Sequence, residues 1–111
     1  MNSKVETGRT AEDRAASYLL SLGYTIITRN YRIRGGEIDL IALDGEVLVF
    51  VEVRWRTDDM GDETIGPKKA EALRRTMRSY MDEMGEERDF RCDLIALSPR
   101  DLRHHPDFLN S

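Results

Sequence analysis

One cysteine, Cys92, in a chain of 111 residues leaves no disulfide framework to staple the fold. No apolar run approaches the roughly 20 residues needed to cross a bilayer. The N-terminal stretch MNSKVETGRT is polar and lacks the apolar segment of a signal peptide. Repeats, low-complexity tracts and Pro/Gly/Ser linkers are also missing. So is an excess of positive charge: 17 Lys and Arg against 21 Asp and Glu give a net charge of −4. Proteins that coat nucleic acid by charge alone are usually basic, which disfavours that class but leaves a local basic surface open. The expectation is one soluble, cytoplasmic domain without membrane contact, with a core over about 8–97 and a tail over 98–111.

What is present is patterned. Ala11, Ala15, Tyr18, Leu19 and Leu22 recur on one face of a helix, and Gly23 is a natural stop. YTIITRNY, at 24–31, is β-rich. GEIDLIAL and EVLVFVEV flank Asp44-Gly45, a strong hairpin signal. TDDMGDETIG has no apolar periodicity and reads as a loop. Pro67 suits the first turn of a second helix, whose stripe is Ala70, Leu73, Met77, Tyr80, Met81 and Met84, closed by Gly85. RCDLIAL, at 91–97, is a last strand ended by Ser98-Pro99. The order α-β-β-β-α-β predicts an α/β sandwich with a mixed sheet and helices packed on it. Cys92 and the methionines of the second helix read as core. The stretch after Pro99 carries no signal, and the adjacent His104 and His105 are poorly spaced for a shared metal and read as surface residues.

The stretch FVEVRWR, at 50–56, sets a glutamate in an apolar strand, where its charge needs compensation. With Asp44-Gly45 as a two-residue turn, Leu43 faces Glu46, Ile41 faces Leu48, Asp39 faces Phe50 and Glu37 faces Glu52. Glu37, Asp39 and Glu52 then share one sheet face, with Asp39 and Glu52 as diagonal neighbours. Two arrangements account for such a cluster. One is a hard divalent ion, Mg²⁺ or Mn²⁺, for which carboxylate oxygens are the natural ligands. The other is ion pairing of Glu52 with Arg54 or Arg56, and of Asp39 with Arg32 or Arg34. Glu12 and Lys69 border the inward faces of the two helices and are further candidates. Trp55 either stacks on a base or caps the sheet edge.

These motifs together resemble a known family. Gly8 and Glu12 in GRTAEDRAASYL, Gly23-Tyr24, Asn30-Tyr31-Arg32, GEIDLIALDG, FVEVRWR, Pro67-x-Lys69 with Leu73, and Arg91-Cys92-Asp93 resemble the bacterial YraN-like family. That family is similar to archaeal Holliday-junction resolvases, of the restriction-endonuclease-like PD-(D/E)xK nuclease fold. The resemblance implies that Asp39 and Glu52 bind Mg²⁺ or Mn²⁺, with the Val53 carbonyl beside them. It further implies that Glu12 binds or orients through water and that Glu37 is a secondary ligand. The activity implied is hydrolysis of DNA phosphodiester bonds, in branched or otherwise structured DNA, by a homodimer.

One position departs from the pattern. Lysine is expected two residues after the acid, and this chain has Arg54, which stays charged and cannot serve as a base. Arg54 still suits phosphate binding, and Lys69 is the candidate replacement for the lysine. Arg32, Arg34, Arg54, Arg56, Lys68 and Lys69 are the expected phosphate contacts. The competing expectations are a non-catalytic nucleic-acid-binding module and a partner protein of DNA repair or uptake that keeps the fold without the chemistry.

Overall fold

The computed structural model describes residues 3–57, 64–85 and 87–110, with side chains from residue 9 onward. The acidic Asp58, Asp59, Asp62 and Glu63 of the expected loop lie outside them. The chain runs α1 (Ser3–Ser21), β1 (Thr25–Ile33), β2 (Gly36–Asp44), β3 (Val47–Trp55), α2 (Pro67–Met84), β4 (Phe90–Leu97) and β5 (Leu102–His105), ending in a short 3-10 turn, Phe108–Asn110. The five strands form one sheet in the order β1-β2-β3-β4-β5. Only β3 and β4 run parallel, because the α2 crossover joins them; the other neighbours are antiparallel. This is a mixed α/β fold, as the sequence predicts. No helix among the described residues is long and apolar enough to cross a membrane.

Each helix covers one sheet face. Ala11, Ala15, Ala16 and Leu19 of α1 pack on Leu40, Val49, Val51, Ile95 and Leu97. Leu73, Met77 and Tyr80 of α2 pack on Ile38, Ile41, Leu48, Phe50 and Cys92. The small alanines let α1 lie close to its face. Leu22 departs from the expected stripe: the helix ends at Ser21, and Leu22 is exposed. Gly23, at φ 90°, forces the stop, with its amide bonded to the Leu20 carbonyl and the Tyr24 amide to that of Leu19. Met84, also expected on an apolar stripe, is exposed at the end of α2.

The β2–β3 hairpin corrects the expected register. Asp44 pairs with Val47, so the two turn residues are Gly45 and Glu46, and Gly45 alone carries the positive φ, 61°. Ile41 therefore faces Phe50 and Leu43 faces Leu48. Moving the turn by one residue shifts every pair by two, so strict alternation would keep each side chain on its face while its partner changes. The β2–β3 pairing runs as far as Leu40–Val51, beyond which Asp39 lies next on one strand and Glu52 next on the other. Glu37 does not face Glu52; it pairs with Arg32 on β1.

The strict alternation of β1 and β2 breaks at one level. Ile38 faces α2, yet Leu40, two residues on, faces α1. Opposite them, Tyr31 packs with the α2 cluster while Arg29 reaches Asp13 of α1 at 2.6 Å. Between Arg29 and Tyr31 sits Asn30 at φ 54°, a left-handed conformation that asparagine tolerates better than most residues. Asp39 occupies the matching place on β2, and the twist there sets the direction of its carboxylate.

The tip of the β1–β2 hairpin is pinned to α2. Arg75 donates to the Gly35 carbonyl at 3.1 Å, and Thr76, fully buried, donates to the Ala72 carbonyl at 2.6 Å. A Cβ at Gly36 would run into the Thr76 hydroxyl and lie 3.2 Å from the Ala72 carbonyl oxygen. Gly36→Ala is therefore expected to cost about 1–3 kcal/mol in urea unfolding. Adding Thr76→Ala removes the obstructing hydroxyl and should return much of that loss; additive costs would contradict the contact.

The C-terminal stretch also needs correction. RCDLIAL is not the last strand, because Leu102–His105 adds a fifth, antiparallel to β4. Four residues of mixed polarity carry too little pattern to be read locally; β5 exists because the β4 edge offers it a ladder.

Candidate acidic site at the end of β3

The site is built where β2 kinks and β3 continues past it. Asp39 Oδ2 accepts a hydrogen bond from the Val53 amide at 2.8 Å, so the carboxylate takes the place of a missing ladder bond. Glu52 lies on the same face as Phe50, under α2, and is 8% exposed. Its Oε2 is sealed from solvent and makes no hydrogen bond. Lys69 Nζ, from the first turn of α2, faces that oxygen at 3.4 Å. The cation opposite Glu52 thus includes one that arrives from another element, 17 positions along the chain.

Burial first, and then the hydrogen bond and charge of Glu52, push the Asp39 carboxyl up from 3.8 to about 8; Glu12 of α1 pushes the same way, against the Val53 amide. Two carboxylates this close in a dry site do not both carry charge without a cation. Glu12 is near enough to act on Asp39 through its charge. Glu37 sits apart, bonded to Arg32 Nε at 2.9 Å.

The expected phosphate contacts distribute around this pair. Lys68 and Lys69 are exposed at the N-terminus of α2, the end where helix dipole and free amides favour anions. Arg32 and Arg34 are exposed near the β1–β2 tip, and Arg54 and Arg56 are half-buried at the end of β3. Arg54 donates to the Thr64 carbonyl at 3.0 Å. Trp55 turns to the opposite face, packing against the α1 core with the Arg14 guanidinium 5.9 Å above its ring. β3 is the central strand, so Trp55 covers the end of the α1 face rather than capping a sheet edge.

Residues 11–97 match the family described as Uncharacterised protein family UPF0102. The chain belongs to this family. A UPF0102 protein of Carboxydothermus hydrogenoformans is 48% identical over 81 residues, covering 70% of this chain and 69% of that one. One from Prosthecochloris aestuarii is 48% identical over 96 residues, covering 83% and 76%. A third, from Sulfurihydrogenibium, is 38% identical over 105 residues and covers 91% of both. The YraN-like resemblance is thereby UPF0102 membership, and the match spans α1 through β4, both carboxylates included.

A divalent ion fits the centre of this UPF0102 chain on chemical grounds. A buried Glu52 oxygen without a hydrogen bond, beside a second carboxyl pushed up first by burial and then by Glu52, is the environment a hard cation relieves. Among the described residues no three His, Cys, Asp or Glu side chains gather as a ligand group, so the Asp39–Glu52 pair would be the protein's share of any such ion. Water and phosphate oxygens complete such a shell for Mg²⁺.

The raised Asp39 carboxyl also has a stability consequence. Folded protein holds that proton more tightly than unfolded protein does, so stability falls as pH rises from about 4 through about 8. Melting curves should therefore decline more over that window for wild type than for Asp39→Asn. Mn²⁺ at pH 8 should raise the wild-type midpoint and leave that of Asp39→Asn unchanged. Parallel curves and no metal shift would count against the pair.

A second polar network escaped the sequence reading. Asp93, fully buried on the α1 face, receives Arg91 Nε at 3.0 Å, His104 Nε2 at 2.7 Å and the Asp107 amide at 2.9 Å. With its proton on Nε2, His104 accepts the Tyr18 hydroxyl at Nδ1, 3.0 Å away. Arg91 continues to the Tyr24 hydroxyl at 2.8 Å and to Asp44 at 3.3 Å. His104 and His105 are thus half-buried strand residues rather than surface ones. The one available signal was an aspartate inside the apolar run RCDLIAL, which demands partners wherever they lie.

Proposed function

We propose that this chain is a metal-dependent endonuclease, hydrolysing phosphodiester bonds of branched or otherwise structured DNA on a restriction-endonuclease-like fold. The observation that carries this reading is the pair of buried Glu52 and half-buried Asp39, with Lys69 Nζ 3.4 Å from Glu52 at a helix N-terminus. Carboxylates for a cation and an ammonium for a phosphate meet there. Bound Mg²⁺ or Mn²⁺ would supply Lewis-acid polarisation of the phosphate and an acidified water.

The chain's own residues divide the remaining work. Asp39 and Glu52, with the Val53 carbonyl, would hold the ion, and Glu12 would orient water from α1. Glu37, tied to Arg32, steadies the rim as a secondary ligand at most. Lys69 contacts the phosphate and, unlike arginine, is able to release a proton to assist water activation. Arg54 neutralises charge developing on phosphate oxygens and serves as no base. Arg32, Arg34, Arg56 and Lys68 grip flanking backbone phosphates, which positions DNA without reading its sequence. A homodimer would place two such sites for symmetric cuts in two strands.

Arg54 in the place of the nuclease lysine favours one second reading, a nucleic-acid-binding module or partner protein of repair or uptake that retains the fold without cleavage. Labelled linear, flapped and four-way-junction DNA, incubated with Mg²⁺ or Mn²⁺, separates the two. Strand cleavage supports the endonuclease. Salt-sensitive binding without cleavage in either metal leaves the binding module, and no binding at all leaves the partner protein.

A further inference from the structure

We propose that the cavity between α2 and the start of β4 binds a nucleoside phosphate, at a site separate from the Asp39–Glu52 pair. The cavity holds about 350 Å³ and is lined by Arg74, Arg78, Met77, Met81, Phe90 and Cys92, among others. That size and its mostly apolar lining with a few charged groups suit a small organic ligand. It lies toward the far end of α2: nine residues separate Lys69 from Arg78, about 13 Å of helix.

Two features specify the chemistry. Arg74 and Arg78 are one turn apart on the same helix face, where two guanidinia converge on one anion. Arg74 is held in place by a bond from Nη2 to the Leu109 carbonyl at 3.0 Å, which uses one of its donors and none of its charge. Among the described residues neither arginine is paired with a carboxylate. Arg91, also at the lining, is already engaged by Asp93 and Asp44, so it adds no free charge.

The second feature is Phe90. It is 52% exposed, yet its ring is braced edge-on against Phe50 at 6.2 Å. A braced, half-exposed ring is a stacking platform, and Met77, Met81 and the neutral thiol of Cys92 continue the apolar floor beneath it. An inorganic anion would leave that floor uncovered, and an aliphatic acid would not use the flat ring. An anionic group joined to a flat, weakly polar ring uses both. The nucleoside phosphate is either a free nucleotide or the unpaired terminal nucleotide of a strand.

Binding by the whole chain is measured in EDTA, by calorimetry or NMR shifts, with dAMP, inorganic phosphate and a 5′-phosphorylated single strand. Binding of dAMP supports a free nucleotide; binding of the strand without dAMP supports the strand-borne form. In either case Arg74→Gln and Arg78→Gln should each weaken binding about tenfold, with melting unchanged. Phe90→Leu should remove the preference over inorganic phosphate, and Asp39→Ala should change nothing, even where it abolishes cleavage. The proposal is overturned if neither nucleotide binds at millimolar concentration, if phosphate binds as well as dAMP, or if binding follows Asp39 and ignores the arginines.

Discussion

Asp39→Ala and Glu52→Ala are each expected to lower metal-dependent DNA cleavage by about 10³-fold or more, because each removes one of the two carboxylates proposed to hold the ion. The loss should be non-additive, since one ligand gone already empties the site, and the double variant should be little worse than either single one. DNA binding at low salt should survive in both, because the cations around the site supply it. Folding should survive as well. Removing either carboxyl relieves part of the cost that burial and then the neighbouring carboxyl impose on Asp39, which is pushed up to about 8, so neither variant should melt below wild type at pH 8. Cleavage persisting in both variants would sink the assignment of the pair.

Lys69 and Arg54 are then distinguished by the same assay. Lys69→Met removes the ammonium 3.4 Å from Glu52 and should reduce turnover, whereas Lys69→Arg should keep phosphate binding but lose any proton transfer. Arg54→Lys should restore activity to neither, if Lys69 has taken over the role.

The second large effect concerns stability. Asp93→Ala is expected to cost about 3–5 kcal/mol, since it leaves the Arg91 and His104 groups buried without their shared carboxylate. At this chain length that corresponds to a drop of about 10–20 °C in melting temperature. Burial alone would push the Asp93 carboxyl up, but hydrogen bonds from His104, the Asp107 amide and Arg91 outweigh it and hold it below 3.8. A lowered carboxyl contributes stability that is present above the unfolded value and is lost as pH falls through the folded one. Acid unfolding should therefore be blunted in Asp93→Asn, which starts less stable at neutral pH. The trend is opposite in sign to that of Asp39, so the wild-type stability maximum should lie on the acid side of neutrality. A melting change of only a degree or two in Asp93→Ala would show that the network contributes little.

Much of this was legible because side-chain period encodes which face a residue occupies. The alternation in VLVFVEV put Glu52 on the face of Phe50 even though the turn was misplaced by a residue, because the error shifted pairs by two; the break between Ile38 and Leu40, where Asp39 sits, follows no alternation. The helical stripes of α1 and α2 identified the core through Leu19 and Leu73. The stop at Gly23 and the first turn at Pro67 were equally local. Where a period was absent, as in the four residues of β5, nothing marked the strand.

What the sequence by itself determined is therefore the six elements from α1 to β4, the core-facing side of each helix, and the presence of Asp39 and Glu52 within apolar strands, where each requires a partner. Only the tertiary structure decided who the partners are. It turned Asp39 onto the Val53 amide through a kink shared with Asn30, brought Lys69 to Glu52, and bound Asp93 to His104. The reason is physical: periodicity is written within an element, whereas contacts between elements depend on twist, bulges and the packing of distant chain segments, which no local pattern records.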